Sequence, residues 1–180
     1  MEKKRIAKNK EMLEWYDALI FAIAVLVLFF AFVARIVVVD GGSMLNTLTN
    51  GDRLLVQSTF YKPHPGDVVV VDGYTKYKKP LVKRVIAVGG DTVDIDPNAG
   101  IVYVNGQPLE EPYVREGVTL STGDTHFPVT VPEGSLFLMG DNRQHSTDSR
   151  NSSIGFVDER DILGKVLLRL FPVKQFGRIK

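Results

Sequence analysis

The 180-residue chain contains no cysteine, which removes disulfides, thiol nucleophiles and zinc–thiolate sites together. It has three histidines, His64, His126 and His145, and a single tryptophan. Charge of one sign is also lacking. Twenty-two Lys+Arg stand against 21 Asp+Glu for a net charge of +1, and residues 40–180 carry 16 against 17. Such a balance leaves no basic nucleic-acid footprint. No metal or cofactor is expected, and neither an internal repeat nor a low-complexity tract stands out. What the chain has is a local concentration of hydrophobicity. At 44% the overall apolar share is ordinary for a globular protein, yet Ala18 to Ala34 is an unbroken apolar run of seventeen residues.

After Arg35, the segment Ile36 to Val39 extends this run to about 22 residues, roughly 33 Å as a helix, enough for a hydrocarbon core of roughly 30 Å. A buried core helix would carry a polar stripe, and Ala18–Ala34 has none. A cleavable leader usually has an apolar region of about 7–15 residues ending in a small-x-small site. Here Ala31 and Ala34 are preceded at −3 by the bulky Phe29 and Phe32. The reading is a permanent transmembrane anchor over 18–39. Lys3, Lys4, Arg5, Lys8 and Lys10 place residues 1–17 in the cytoplasm and residues 40–180 outside it.

Beyond the anchor, short β-rich runs alternate with turns. Arg53–Gln57, Asp67–Val71, Leu81–Val88, Ile101–Val104, Ser135–Met139 and Lys165–Phe171 each abut Gly, Pro, Asn or Asp. Asn105-Gly106 signals a type I′ hairpin. The expected fold is mainly β, a largely antiparallel catalytic domain with a core of its own. Residues 107–134, rich in Pro, Glu, Gly and Thr, read as a small excursion from it.

Three segments could carry chemistry. Gly41-Gly42-Ser43-Met44 puts a serine just past the apolar span, although a serine after glycines is usually only a turn. Lys83 and Arg84 sit within the apolar strand Leu81–Val88, where strand alternation sends them to opposite faces. An edge-strand cation facing solvent is the bland alternative. Gly140–Arg150 is dense in charges and hydroxyls, either a solvated loop or a self-contained hydrogen-bond network.

In this order the segments resemble the bacterial type I signal peptidases (leader peptidases) of the Gram-positive form, with their Ser-Lys dyad. The matching stretches are Ser43-Met44-Leu45-Asn46-Thr47-Leu48, Pro65-Gly66-Asp67-Val68-Val69, Lys83-Arg84-Val85-Ile86 with Gly89-Gly90-Asp91, and Gly140-Asp141-Asn142-Arg143 followed by Ser146, Asp148, Ser149 and Arg150. The resemblance implies a membrane-bound serine endopeptidase that cuts signal peptides of exported preproteins after small residues at −1 and −3. Ser43 would be the nucleophile and Lys83 the general base. Ser146 would hydrogen-bond and orient the Lys83 amine, while Asp141, Asp148 and Arg150 hold the surrounding loops. Val37, Val39, Met44, Leu48 and Val82 would line the substrate pockets. The partners implied are the signal peptide and the lipid bilayer, with the enzyme working as a monomer.

The physics of such a pair is simple. A serine hydroxyl is a weak nucleophile until a base takes its proton, and a lysine near its reference pKa of about 10.4 is protonated. Burial disfavours the ammonium and frees the amine near neutral pH. Two departures from the family pattern matter. Asn46 stands where proline is usual, which feeds the alternative of a catalytically impaired, membrane-anchored binding protein. Gly41 stands where Gram-negative relatives carry a serine whose hydroxyl stabilises the oxyanion, so Gly41→Ser is expected to remain active unless Gly41 has positive φ. A triad through His145 is disfavoured because that position varies in the family, and a self-cleaving Ser-Lys repressor would need a helix-turn-helix segment that is missing.

Overall fold

The structure, a computed structural model, describes residues 2–59, 61–73 and 79–179. The side chains of residues 2–9, 29, 31 and 32 lie outside the described residues, the basic Lys3, Lys4, Arg5 and Lys8 among them. Helix α1 (Glu2–Phe32) takes most of the apolar run. After Val33 the same apolar sequence turns into strand β1 (Ala34–Val38). The expected span over 18–39 is therefore corrected: its helix ends at Phe32, and its last part belongs to a sheet. β1 is rich in β-branched residues and pairs along its whole length with β2 (Arg53–Gln57), from Ala34 opposite Gln57 to Val38 opposite Arg53. Among the described residues no helix is long and apolar enough to cross a membrane.

The remaining strands are β3 (Val68–Val71), β4 (Leu81–Val88), β5 (Thr92–Asp96), β6 (Ile101–Val104), β7 (Gln107–Pro108), β8 (Val129–Thr130), β9 (Ser135–Met139), β10 (Val157–Asp158), β11 (Ile162–Phe171) and β12 (Gly177–Arg178). The described residues form two antiparallel sheets. The larger runs β1-β2-β11-β3-β4-β9-β10, with β12 against the far half of β11. The smaller runs β7-β6-β5-β8. The mainly β, antiparallel reading holds. At the Asn105-Gly106 turn both residues have positive φ, 53° and 76°, as a type I′ hairpin requires, and Val104 pairs with Gln107 across it.

The position of β4 fixes the setting of its two cations. It lies between β3 and β9, a central strand of the larger sheet rather than an edge. Lys83 is 4% exposed and its neighbour Arg84 1%. The edge-strand reading of this pair is thus set aside. Two adjacent cations are buried, one on each face of a central strand.

Candidate active site

Ser43 enters the site on the loop joining β1 to β2. That loop is held at its base by paired backbone bonds, Val39 N–H to Asp52 O and Gly51 N–H to Val39 O, both 2.9 Å. From the side, Thr47 donates its hydroxyl to Asp141 Oδ2 at 2.5 Å, and Arg169 donates to the Thr47 carbonyl while pairing with Asp52 at 3.0 Å. From the loop after β9, Asn142 reaches across to the carbonyls of Gly42 and Ser43, at 2.9 and 3.0 Å.

Lys83 comes from the middle of β4, and its Nζ lies 2.7 Å from Ser43 Oγ. Burial pushes the amine down to about 8; Asp148 opposes the shift, and Arg150 and Lys79 reinforce it. Arg84, its neighbour on the strand, has a different setting. Arg84 Nε and Nη2 form a fork on Asp141 at 2.9 and 2.7 Å, Nη1 donates to the Gly66 carbonyl at 2.8 Å, and the guanidinium stacks 3.8 Å over the Tyr113 ring. No carboxylate forms a salt bridge with Lys83 among the described residues. A buried cation without a counter-ion gives up its proton more readily.

The Gly140–Arg150 segment is built on a buried network at both ends, with only Gln144, His145 and Thr147 exposed between them. Arg150 Nε and Nη2 grip Asp148 at 2.8 and 2.9 Å, and Gly140 N–H adds a bond to Asp148 at 3.0 Å. Burial alone would raise the Asp148 carboxyl, but the Arg150 hydrogen bonds and charge outweigh it and hold the group below its ordinary value. Ser146 departs from expectation. Its hydroxyl is buried against Gly140 and forms no hydrogen bond with Lys83. It meets no partner in full hydrogen-bond geometry, though it stands near enough to Asp148 to help keep that carboxylate ionised.

Ser43 and Lys83 face a cavity of about 630 Å³. Val37, Val39, Met44 and Val82 line it, and so does Leu163, which no sequence pattern singled out. Leu48 does not reach it, being fully buried in the core cluster that also holds Met44 and Val39. His145 is exposed on the cavity wall, yet no hydrogen bond joins it to Ser43 or Lys83. Sequence reasoning also missed Glu111 and Thr119. Both come from the excursion, and they bind Arg143 at 2.5 to 3.0 Å, which in turn donates to the Gly140 carbonyl at 2.9 Å. A lone glutamate 32 residues from its arginine carries no spacing signal.

Residues 12–171 match the family described as Signal peptidase, peptidase S26. The chain belongs to that family. It is 39% identical to "Signal peptidase I" of Bacillus licheniformis, over 98% of each chain. It is 40% identical to "Probable signal peptidase I-1" of Synechocystis sp., over 82% of this chain and 76% of that one. With "Signal peptidase I T" of Bacillus subtilis it shares 36% identity over 99% and 95% of the two chains. It is accordingly a serine peptidase.

Gly41 settles the condition attached to its replacement by serine. Its φ is +105°, and its N–H donates to Asn50 Oδ1 at 2.9 Å, so this amide is not free for an oxyanion. A side chain there would meet open space, so the whole cost lies in the backbone conformation. Strain of this kind costs about 1–3 kcal/mol, and a loop that relaxes to escape it misplaces Ser43. Gly41→Ser and Gly41→Ala are therefore expected to lose activity alike, about ten- to a hundredfold, in steady-state assays on folded protein. An active Gly41→Ser beside a crippled Gly41→Ala would show instead that the hydroxyl acts as a donor.

Proposed function

We propose that the chain cleaves signal peptides from exported preproteins, with Ser43 as nucleophile and Lys83 as general base. The 2.7 Å contact between the Ser43 hydroxyl and an amine that burial has brought to about 8 carries this reading. The neutral amine takes the Ser43 proton as the oxygen attacks the scissile carbonyl, then returns it to the leaving nitrogen. Asp148 and Arg150 brace the Gly140 loop, and Asp141 anchors Thr47 and hence the nucleophile loop. Ser43, Lys83 and the groups that brace them all lie on this chain, so the proposed chemistry needs no residue from a second copy.

Specificity follows from the cavity. Val39 and Met44 are almost fully buried and form its floor, with the less buried Val37 and Val82 as walls. β-Branched walls close to the dyad leave room for Ala or Ser at −1 and −3. The −2 side chain of an extended substrate points away.

α1 supports a membrane setting. Its apolar stretch Ala18–Phe32 measures about 22 Å, and Leu19, Ile20, Phe21, Ile23 and Leu26 are all more than half exposed. Trp15 and Tyr16 suit the headgroup level at its start, and a short helix is accommodated by local bilayer thinning. One residue, Val33, separates α1 from β1, so the groove beside β1 would open near the bilayer where signal peptides reside, with the catalytic domain outside the cytoplasm. That proximity raises effective concentration.

Detergent-solubilised full-length protein incubated with a preprotein, with the cut identified by mass spectrometry, tests the function. Cutting should follow a small residue, and changing that −1 Ala to Leu should lower the rate by about a hundredfold or more, since a bulky side chain would have to displace the buried floor. Efficient cleavage of the Leu substrate would contradict the pocket assignment.

A further inference from the structure

We infer that Asn142 is a positioning residue for the oxyanion, acting through the Gly42–Ser43 peptide; this rests on Ser43 being the nucleophile. Asn142 follows Asp141, is 2% exposed, and lies 100 residues along the chain from Gly42. It directly precedes the short 3-10 turn Arg143–His145, but its side chain does not cap that turn. Instead Nδ2 donates to the Gly42 carbonyl at 2.9 Å, and its own backbone N–H donates to the Ser43 carbonyl at 3.0 Å. Its Oδ1 is buried with no partner. Because the acceptor is a carbonyl, the amide must present its nitrogen to Gly42, leaving the oxygen unsatisfied. A buried acceptor left this way is unfavourable for folding, so the orientation is imposed by the contact with the nucleophile loop.

The consequence lies at the other end of that peptide. In a trans peptide unit the C=O and the N–H are coplanar and point in opposite directions. Holding the Gly42 carbonyl therefore aims the Ser43 N–H away from Asn142. Among the described residues this N–H donates to no other group, so it is available to the negative charge that develops on the scissile oxygen. The Gly42 carbonyl also accepts a longer bond from Leu45 N–H, at 3.3 Å, but that bond lies within the same loop. The successive Gly41 and Gly42 leave the loop free to shift with it, so among the described residues only the shorter Asn142 bond ties this carbonyl to a separate part of the chain. A donor that must reorient during reaction loses much of its value, whereas a preorganised one does not. The Asn142 bond supplies that preorganisation at a position where the Gly41 amide is already committed to Asn50.

The test uses full-length protein in detergent with Asn142→Ala and Asn142→Asp, activity being normalised to the folded fraction from circular dichroism. The aspartate keeps the size and the backbone bond but turns a donor into an acceptor facing the Gly42 carbonyl, so it remains informative if the alanine variant folds poorly. Both variants should lower kcat by about 10- to 100-fold, part of the 10²–10³ seen when such a donor is removed outright. KM should stay within about twofold, as for an interaction made only in the transition state. Affinity for a signal-peptide aldehyde, whose adduct carries a tetrahedral oxygen, should fall in step with kcat/KM, while affinity for the cleaved product peptide should not change. The ascending acid limb of the kcat/KM profile, set by deprotonation of Lys83, should stay in place. Unchanged kcat and aldehyde affinity, or a loss confined to KM, would overturn the inference. If Ser43→Ala retained activity, the nucleophile assignment itself would fail, independently of Asn142.

Discussion

Lys83→Met is expected to abolish processing, by about 10⁴-fold or more, while making the folded protein more stable at pH 7. Both effects come from one buried amine. Its folded-state value of about 8 lies below the ordinary 10.5. Between those two pH values the unfolded chain binds more protons than the native one, so stability from this group rises with pH across that window. Below pH 8 the native state bears the full penalty, on the order of 3 kcal/mol. Methionine removes that penalty but also the bond to Ser43, worth about 1 kcal/mol. The net gain should be about 1–3 kcal/mol in urea denaturation at pH 7, and it should vanish near pH 10.5. For the active enzyme, kcat/KM should climb with pH along its acid limb, levelling off above about pH 8 as Lys83 loses its proton, and Ser43→Ala should be as inactive as Lys83→Met. A Lys83 variant that keeps working beside a dead His145→Ala would reverse the assignment of the base.

Periodicity and local motif were legible in the sequence. β2, β4, β6 and β9 fall on the residues expected of them, because each is a run rich in apolar strand formers bounded by a turn. The Asn105-Gly106 hairpin follows from the φ > 0 its two residues tolerate. β1 was hidden for a physical reason. Hydropathy measures transfer out of water, and a helix in lipid and a strand at the rim of a sheet draw on the same residues. Only the ladder with β2 distinguishes them. The two-residue strands β7, β8, β10 and β12 carry too few side chains to show a period.

The site was legible in its motifs and opaque in its pairings. Lys83 and Ser43 were visible as residue types in distinctive settings, but a strand sequence cannot say whether it is central or at an edge, and that alone decides between a solvated lysine and a buried one. Glu111, Thr119 and Asn142 act through contacts that span 24 to 100 residues. Such contacts are set by how the sheets and their loops close on one another. The Ser146 expectation failed on a smaller scale: the chain leaves the Arg143–His145 turn in an extended conformation, and the hydroxyl is buried beside Gly140 without a bond to Lys83.

Arg84→Met should be the most destabilising single change in the site, and pairing it with Asp141→Leu should restore stability without restoring activity. Arg84 and Asp141 are both essentially inaccessible to solvent, at 1% and 0%. Removing the arginine leaves a carboxylate buried with the Thr47 hydroxyl and little else, a situation that typically costs about 3–5 kcal/mol. Removing both charges deletes the desolvation penalty along with the attraction, and buried pairs replaced by apolar residues are often neutral or better. The double variant should therefore recover at least half of the lost stability in urea denaturation. Activity obeys a different rule, because Asp141 also receives the Thr47 hydroxyl at 2.5 Å and so ties the nucleophile loop to β4 through Arg84. With leucine at 141 that tie is gone, and Ser43 is no longer held against Lys83 with the precision that the reaction demands. Processing by the double variant should remain about a hundredfold or more below wild type even where the protein is fully folded. Recovery of activity together with stability would show that the pair serves only the fold, and that the bonds from Asn142 and Arg169 suffice to place the nucleophile.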